Sequence, residues 1–407
     1  MLTRLPQAYL FLNVITFFTI EIKAIYNSEC SISINQDLTD ARHPLLIQTT
    51  LGKPEFVLPT VDDKIILKQN DEIELFCPNS FNASSKDNLR KVICDKGKFI
   101  LNGSIVRFST LTCPKPLKDV ARYTGKKCLR DYEEFEIGYE YKNDFLTLIT
   151  GCFDKTKQNT LYTISTISRM INGKKYTHPR KSFWTQGSFY RGVSVDNVYK
   201  RNNQRIAINS QLGLDRDSRI YITEDDQKYY LARGHLAPKA DFIYGPQQDI
   251  TFYFLNAVPQ WNLLNTGNWK ILEDDLRRFA SIRGIDLKIV TGTSEIFSLP
   301  YNFTQQSVEL FLNTQTSTKT IPIPKFIWKV AYHEVSSKGV AFVGVNNPFL
   351  KEDFNEYTIC RNICRKLNYI HINLNYVKNG YVYCCEVGDL IKTVSTIPIT
   401  SVSGLLT

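Results

Sequence analysis

The chain has 407 residues, of which 43% are apolar and 22% charged, and this ordinary balance excludes a fibrous or a wholly disordered protein. The length accommodates two or three domains, or one large domain with an appendage. A formal net charge of +10 favours a polyanionic partner, either nucleic acid or a membrane surface, but it fits a soluble basic protein equally well. Charge alone therefore leaves the partner open.

The first 24 residues have the pattern of a secretory signal peptide. Arg4 provides the positive start, residues 8–20 form a short apolar run, and Ala24 is a small residue at a suitable cleavage position. The run is shorter than the stretch of about 20 apolar residues that a transmembrane helix needs. A signal anchor is the alternative. The pattern favours cleavage and predicts a secreted, extracellular protein without stable membrane association.

The ten cysteines are consistent with secretion, because an even number of cysteines behind a signal peptide indicates disulfides formed in the oxidising secretory route. Their pairing cannot be read from the sequence. The four cysteines between residues 360 and 385 also admit a zinc site, which in a secreted chain is the weaker interpretation. Asn-x-Ser/Thr motifs at Asn82, Asn102 and Asn302 are candidate glycosylation sites.

Residues 25–134 are predicted to form a small β-rich module. Short apolar or alternating runs at 64–68, 72–77 and 99–101 are typical of strands, and Pro, Asn, Asp and Gly separate them. No long helical period occurs in this part of the sequence. Some of the first five cysteines are expected to tie the module together. The sequence does not indicate what the module does.

Beyond residue 135 the pattern changes to strands interleaved with few helices. Runs at 145–149, 161–167, 251–258 and 285–290 predict strands, without the regular alternation of a βαβ fold. The predicted class is therefore α+β, with a mixed or antiparallel sheet over residues 135–393. Residues 394–407 are predicted to be a tail.

One helix has clear signals at both ends. Asn265 and Thr266 are expected to cap its start, and Gly284 after Arg283 is expected to end it. Between them, apolar side chains recur at three- and four-residue spacing from Trp269 to residue 279. This spacing predicts one buried face along the helix.

His235 differs from the other four histidines in its neighbours, because Arg233 and Gly234 precede it. A guanidinium group holds phosphate oxygens through fixed donors, glycine permits close approach of the backbone, and imidazole exchanges a proton near neutral pH. The pattern suits chemistry at an anionic centre. By itself it is a weak signal, since a surface histidine beside an arginine is commonplace.

Motifs further along the chain make the signal specific. The run Arg-Gly-His-Leu-Ala-Pro (233–238) is followed in order by Asn-x-x-Pro-Gln (256–260), Asn-x-Gly-x-Trp (265–269) and Leu-Glu (272–273). This ordered set resembles the DNA/RNA non-specific endonuclease family, the ββα-metal nucleases that include mitochondrial endonuclease G. The longer run Ala-Arg-Gly-His-Leu-Ala-Pro-Lys-Ala-Asp, behind a signal peptide and an extra module, is most similar to the secreted double-stranded ribonucleases of insect guts.

The resemblance implies a ββα-metal nuclease domain and a role for each matching residue. His235 is the general base that takes a proton from water, and Arg233 offsets charge on the phosphate. Asn265 is the protein ligand of a single Mg²⁺ ion, with Mn²⁺ as a substitute, and its amide oxygen suits a hard cation that keeps much of its water. Glu273, about two helical turns on, acts around the waters of that ion.

Two further residues match the family less directly. Asn256, in Asn-x-x-Pro-Gln, is expected to fix the site by hydrogen bonding, and a capped strand end is the alternative. Arg180 occupies a position that looks equivalent to another family arginine. Lys181 or Arg191 is an alternative for that position, and a plain basic loop is the simplest interpretation of the segment.

The sequence departs from the family pattern in two places. The common motif is Asp-Arg-Gly-His, and Ala232 stands where the aspartate falls. This puts in doubt any orienting hydrogen bond from that acid, although the base, the arginine and the metal ligand are retained. The N-terminal module is absent from the simplest family members, and an inhibitory, a substrate-gripping and a purely structural role are all open.

The signal peptide and the resemblance together imply a secreted, Mg²⁺-dependent endonuclease, and the resemblance implies that its products carry 5′-phosphate ends. Because water attacks rather than the ribose 2′-hydroxyl, both DNA and RNA are expected substrates, and the likeness to the insect enzymes favours double-stranded RNA. The alternative is a catalytically inactive extracellular protein that binds nucleic acid, which the intact set of matching residues disfavours. A disulfide-rich adhesion module would leave these motifs unexplained.

Overall fold

The computed structural model describes residues 29–81, 87–177, 183–224, 227–314, 318–350, 354–373, 377–399 and 402–407. The predicted signal peptide and the glycosylation motif at Asn82 lie outside these ranges, whereas Asn102 and Asn302 are both exposed. None of the helices in these ranges is long enough and apolar enough to cross a membrane.

The N-terminal part consists of short antiparallel strands. They are β1 (Cys30–Ser33), β2 (Leu45–Thr50), β3 (Lys53–Phe56), β4 (Lys64–Leu67), β5 (Glu72–Phe76), β6 (Leu89–Asp95), β7 (Lys98–Leu101) and β8 (Ser104–Val106). Strands β1 and β4 form a ribbon, and the other six form a sheet in the order β3-β2-β5-β6-β7-β8. Exposed and buried residues alternate along β4, as in a strand with one face on a core. The strands predicted at 64–68, 72–77 and 99–101 are confirmed as β4, β5 and β7.

The rest of the chain is also dominated by strands. They are β9 (Val120–Cys128), β10 (Tyr132–Tyr141), β11 (Asp144–Asp154), β12 (Asn159–Ile167), β13 (Leu231–His235), β14 (Ala257–Trp261), β15 (Leu287–Ile296), β16 (Ser298–Pro300), β17 (Ser307–Glu309), β18 (Phe311–Asn313), β19 (Thr320–Pro322), β20 (Pro324–His333), β21 (Lys338–Val345), β22 (Val382–Cys385) and β23 (Gly404–Leu405). The helices are α1 (Val195–Val198), α2 (Arg201–Leu212), α3 (Gly245–Asp249), α4 (Asn262–Thr266), α5 (Asn268–Arg283) and α6 (Val387–Thr393).

A nine-stranded sheet organises this second part. Its strand order is β22-β21-β20-β15-β12-β11-β10-β9, and β23 pairs with β21 in parallel while the other pairs are antiparallel. The predicted α+β class with few helices is therefore confirmed. The sheet also includes β9, which lies upstream of residue 135. The predicted domain boundary between residues 134 and 135 stays a prediction.

Helix α5 packs its apolar side on this sheet. Trp269 is fully buried against Gly344 of β21, where an added Cβ would lie 2.9 Å from the indole. Leu272, Leu276 and Phe279 are buried as well, which confirms the predicted periodic face. Burying each of these side chains contributes about 1.5–3 kcal/mol, so the helix is held chiefly by tertiary packing.

The start of this helix differs from the prediction, although its end at Gly284 is confirmed. Asn265 and Thr266 do not cap α5, because they belong to the short helix α4 that precedes it. Gly267 separates the two helices with a non-helical backbone (φ −96°, ψ −126°). A Cβ at this position would lie 2.0 Å from the carbonyl oxygen of Asn379, so close packing of a distant segment sets the break.

The strand predicted at 251–258 is wrong over most of its length. Residues Ile250–Phe252 and Phe254–Asn256 form 3-10 turns, and only from Ala257 does the chain enter β14. Side chains in this segment form hydrogen bonds with nearby backbone carbonyls. The Thr251 hydroxyl donates to the Gln248 carbonyl at 2.7 Å, and the Asn256 amide donates to the Thr251 carbonyl at 3.0 Å. Such bonds favour turns over a ladder, and burial on all sides gives the segment its strand-like apolar composition.

All ten cysteines form disulfides, which confirms the predicted use of cysteine and excludes the zinc interpretation of the C-terminal four. The pairs are Cys30–Cys94, Cys77–Cys113, Cys128–Cys152, Cys360–Cys385 and Cys364–Cys384. Two bridges thus lie within the N-terminal part, and the third joins β9 to β11 inside the large sheet.

The N-terminal part is docked on the second part through buried polar contacts. The Lys175 ammonium donates to the carbonyl oxygens of Ile34 at 3.0 Å and Asn35 at 3.2 Å. The Tyr244 hydroxyl donates to the Val57 carbonyl at 2.5 Å. Lys175 and Tyr244 are both buried, so separating the two parts would leave their polar groups to be rehydrated. The two parts therefore form one packed body.

Peptide mapping without reduction tests the C-terminal pairing. We expect fragments linking Cys360 to Cys385 and Cys364 to Cys384, because these pairs bridge an irregular segment to strand β22 in antiparallel order. Mass spectrometry of the purified protein after partial digestion and cleavage between the adjacent Cys384 and Cys385 would resolve them. Fragments joining Cys360 to Cys384 would contradict this arrangement.

Candidate active site

His235 ends the two-stranded ribbon that β13 forms with β14, outside the large sheet. The register places Arg233 opposite Pro259, Gly234 opposite Val258 and His235 opposite Ala257. The pairing therefore brings the Arg-Gly-His motif next to the Asn-x-x-Pro-Gln motif, although the two are separated in the sequence.

Gly234 is required by close packing within this ribbon. A Cβ at residue 234 would lie 2.5 Å from the Cβ of Gln260 and 2.3 Å from its Oε1. Because Gln260 is itself buried, its side chain has little room to move aside. The glycine thus allows Gln260 to lie directly beneath the segment that carries Arg233 and His235.

The His235 imidazole lies against two aromatic rings. Its centroid is 4.8 Å from the Trp184 ring and 5.2 Å from Phe252, the latter in an edge-on arrangement. The Nε2 atom is buried and has no hydrogen-bond partner within the described part of the chain. Burial lowers the pKa of His235 to about 4, and the nearby charge of Lys239 acts in the same direction. The ring is therefore neutral at physiological pH, and no described residue bonds to its Nε2.

Asn256 fixes the backbone that follows His235. Its side chain accepts a hydrogen bond from the Ala237 N–H at 2.8 Å and donates to the Ala237 carbonyl at 2.8 Å. Its own carbonyl accepts from the Leu236 N–H at 2.9 Å. Asn256 is completely buried, so these bonds are shielded from water. These bonds hold the backbone that follows His235, and the role of Asn256 in the site stays a prediction.

Arg233 lies beside His235 with its guanidinium group in an ion pair. Its Nη2 donates to Asp196 of α1 at 2.7 Å, and its Cζ lies 5.5 Å from the Tyr199 ring centre and 5.9 Å from that of Trp184. The sequence did not point to Asp196, which is distant in the chain. Ala232 lies opposite Gln260 in the ribbon and carries no acidic group. The acidic side chain that contacts Arg233 is that of Asp196, which comes from helix α1.

Asn265 and Glu273 lie on the neighbouring helices. Asn265 is partly exposed in α4, and its side chain makes no hydrogen bond with any described residue, which leaves the amide oxygen available. Glu273 is in α5, one turn after the buried Trp269. No group of three or more His, Cys, Asp or Glu side chains in the described ranges could hold a metal. An oxygen-lined site with few protein ligands suits Mg²⁺, and the amide oxygen of Asn265 and the carboxylate of Glu273 are groups of that kind.

Glu273 is surrounded by charged side chains. Burial raises its pKa to about 7, while the charges of Lys329 and Arg277 oppose this rise. Arg277, four residues on, forms hydrogen bonds to Asp241 and to Asp274, the latter at 2.6 Å. Asp241 is buried and follows His235 by six residues, so its ion pair with Arg277 ties the His235 segment to α5.

Several of these residues were missed in the sequence, yet signals for two of them exist. Arg277 lies at four-residue spacing from Glu273 and so falls on the same helix face. Lys329 interrupts a long apolar run in β20, where a charged side chain is rare unless it has partners. Asp196, Trp184 and Phe252 have no comparable signal, because only the folded chain brings them to His235 and Arg233.

Arg180, Lys181 and Arg191 are the candidates for the predicted upstream position. Arg180 and Lys181 lie outside the described residues. Arg191 is exposed, and its backbone exchanges hydrogen bonds of 2.9 and 3.1 Å with the Gln158 side chain. Its assignment therefore stays a prediction.

The chain is similar in sequence to a family of known proteins. The profile of the DNA/RNA non-specific endonuclease family matches residues 131–390. A salivary endonuclease of Lutzomyia longipalpis is 25% identical over 375 residues, covering 91% of this chain and 84% of that protein. The salivary protein Tsal2A of Glossina morsitans morsitans is 24% identical over 393 residues, covering 93% of this chain and 94% of that protein. The solved complex of EndoG with EndoGI matches 52% of this chain and 76% of that chain, with a TM-score of 0.35 and 16% identity.

A titration of His235 tests the environment described above. We expect its ring resonances, assigned by comparison with His235→Ala, to titrate with a midpoint of about 4 in the folded protein. The unfolded value is about 6.5, so between these pH values the unfolded chain binds more protons than the folded one. The free energy of unfolding should consequently decrease as the pH falls from 6.5 towards 4. A midpoint near 6.5 would contradict the desolvated, neutral imidazole.

Proposed function

The chain belongs to the DNA/RNA non-specific endonuclease family, and we propose that it is a secreted, Mg²⁺-dependent endonuclease that hydrolyses phosphodiester bonds of nucleic acid. The observation that carries the proposal is the neutral His235, whose buried Nε2 is free to accept a proton beside the guanidinium group of Arg233. Double-stranded RNA is the favoured substrate, and DNA and single-stranded RNA are further substrates.

In the proposed reaction His235 takes a proton from an attacking water molecule. The packing of Trp184 and Phe252 around the ring keeps it neutral, and the bonds from Asn256 hold the backbone behind it. Arg233 places positive charge where the scissile phosphate binds, and Asp196 and the Tyr199 ring orient its guanidinium group. Water forms a new P–O bond while the P–O3′ bond breaks and the 3′ oxygen leaves with a proton, so the products carry 5′-phosphate and 3′-hydroxyl ends.

Asn265 is the proposed ligand of Mg²⁺, and Glu273 the acceptor for its coordinated waters. When bound, the ion stabilises negative charge on the phosphate and on the leaving oxygen. The amide oxygen of Asn265 needs no deprotonation to bind a cation, and it is not engaged by another described residue. Glu273 is ionisable near neutral pH, so it can accept hydrogen bonds from water there.

Secretion and a nucleic acid substrate are supported by separate observations. Five disulfides are typical of the secretory route, and relatives that match most of the chain are named as salivary proteins. The formal charge of +10 favours association with a polyanion. The preference for double-stranded RNA rests on the likeness of the motif around His235 to the insect-gut enzymes.

A cleavage assay tests the proposed function. We expect the secreted protein to cut double-stranded RNA with Mg²⁺, to stop with a chelator, and to lose about 10²- to 10⁴-fold in kcat on His235→Ala, because the general base is removed. His333→Ala is the matched control, since this histidine contacts Ser336 at the far end of β20. Duplex DNA in parallel lanes reports the substrate range.

The opposite outcome of this assay is equally informative. A well-folded protein that binds duplex RNA but leaves it intact, across a range of pH and with Mg²⁺ or Mn²⁺, would overturn the enzymatic proposal. It would favour an extracellular nucleic-acid-binding protein built on the nuclease fold.

Metal binding is tested separately from catalysis. Asn265→Ala should abolish the binding of Mg²⁺ or Mn²⁺ measured by calorimetry, while Asn265→Asp, which retains an oxygen ligand, should preserve it. Thr266→Ala is the control, because its exposed side chain bonds only within α4, to the Asn262 carbonyl. Unchanged metal affinity in Asn265→Ala would remove this residue from the metal site.

A further inference from the structure

Lys329 is a buried lysine close to the proposed active site. It lies in the middle of β20, between the apolar Trp328 and Val330, and only 1% of its surface is exposed. Lysine is almost never fully buried unless its charge has partners, because the cost of removing an ammonium group from water is high. Its partners therefore indicate what holds the residue in this position.

Two hydrogen bonds of its ammonium group connect separate parts of the fold. The Nζ atom donates to the hydroxyl of Thr291, its direct neighbour on β15, at 2.6 Å. It also donates to the carbonyl oxygen of Leu236 at 3.3 Å. Leu236 immediately follows His235, so this bond links the end of β13 to the centre of the large sheet.

The same ammonium group lies beneath helix α5. Its Nζ atom is 5.5 Å from the centre of the Trp269 ring, and Glu273 follows Trp269 by one helical turn on the same face. Burial lowers the pKa of Lys329 and the charge of Glu273 opposes that change, so the two groups interact through space, without an ion pair of 4 Å or less between them in the described part of the chain. The other cation near this carboxylate, Arg277, is already bonded to Asp241 and Asp274.

We propose that Lys329 is a positioning residue of the active site, which anchors the backbone behind His235 to the central sheet and acts as the buried counter-charge of Glu273. It thereby fixes the positions of His235 and the Glu273 carboxylate relative to each other from the side of the central sheet, without touching the substrate. The inference rests on the proposed function, because it assigns Lys329 a part in that reaction.

A purely structural lysine would give different behaviour. If Lys329 served only to hold the fold together, its loss would lower stability and leave kcat of the folded enzyme unchanged. If it acts through Glu273, removing the carboxylate should remove most of the effect of losing the lysine. A double-mutant cycle separates these cases.

The experiment compares Lys329→Met, Glu273→Gln and the double variant in cleavage of double-stranded RNA with Mg²⁺. Methionine has similar length without charge. We expect Lys329→Met to lower kcat by about tenfold or more with KM changed by less than about twofold, because misplaced catalytic groups cost rate more than binding. In the Glu273→Gln background the same substitution should cost less than about threefold.

A readout independent of activity accompanies the cycle. Hydrogen exchange of the Leu236 and Ala237 amides, which bond to Asn256, should accelerate in Lys329→Met, because the neighbouring carbonyl loses its anchor. Lys288→Met is the matched control: this lysine lies on the adjacent strand β15 and pairs with the exposed Glu334 at 3.0 Å. It should leave both kcat and the exchange unchanged.

Several outcomes would overturn the inference. Cleavage by Lys329→Met within about twofold of wild type, or full additivity with Glu273→Gln, would do so. If Lys329→Met does not fold, Thr291→Val removes the 2.6 Å bond that holds the ammonium group in place, and it should lower kcat and accelerate the exchange of the Leu236 amide. Activity of Thr291→Val equal to that of Lys288→Met would then reject the proposal. A wild-type protein that does not cleave would overturn the proposed function as well, whereas an active wild type confines any failure to Lys329.

Discussion

The arrangement of the site depends on how the few residues after His235 are held. This segment leaves the β13–β14 ribbon and has no ladder partner of its own, so its backbone groups need other bonds. Asn256 binds Ala237 on both its N–H and its carbonyl, Lys329 binds the Leu236 carbonyl, and Asp241 pairs with Arg277 on α5. These contacts come from three different elements. Together they fix the position of the imidazole relative to the helix that carries Glu273.

Such a network is stable only when every member is satisfied. Asn256, Asp241, Arg277 and Lys329 are all buried, and an unpaired charge at that depth costs several kcal/mol. Removing one member would leave the polar or charged groups of the others unpaired, which would cost free energy. The network therefore holds a single arrangement. The large sheet and the apolar side of α5 supply the dry surroundings that these bonds require. The N-terminal part adds to the same body through Lys175 and Tyr244, so a structural contribution of the module is evident whatever else it does.

Particular elements show where inference from local pattern succeeds and where it fails. The apolar period of α5 and its end at Gly284 were predicted correctly, because helix periodicity and a glycine with positive φ are local properties. The start of α5 was misplaced, because Gly267 breaks the helix only where the Asn379 carbonyl packs against it. Residues 251–256 have the composition of a strand, but their burial on all sides and their side-chain bonds produce turns.

By itself the sequence determined the family, the α+β class, the use of cysteine in disulfides and the identity of the principal candidates, His235, Arg233, Asn265 and Glu273. These follow from short motifs, in which residues a few positions apart carry the chemistry. Only the tertiary structure decided the disulfide pairing and the surroundings of the base: the Trp184 and Phe252 rings, the Asp196 partner of Arg233 and the buried Lys329. The physical reason is that desolvation and ion pairing act through space between segments distant in the chain, so no local pattern encodes them.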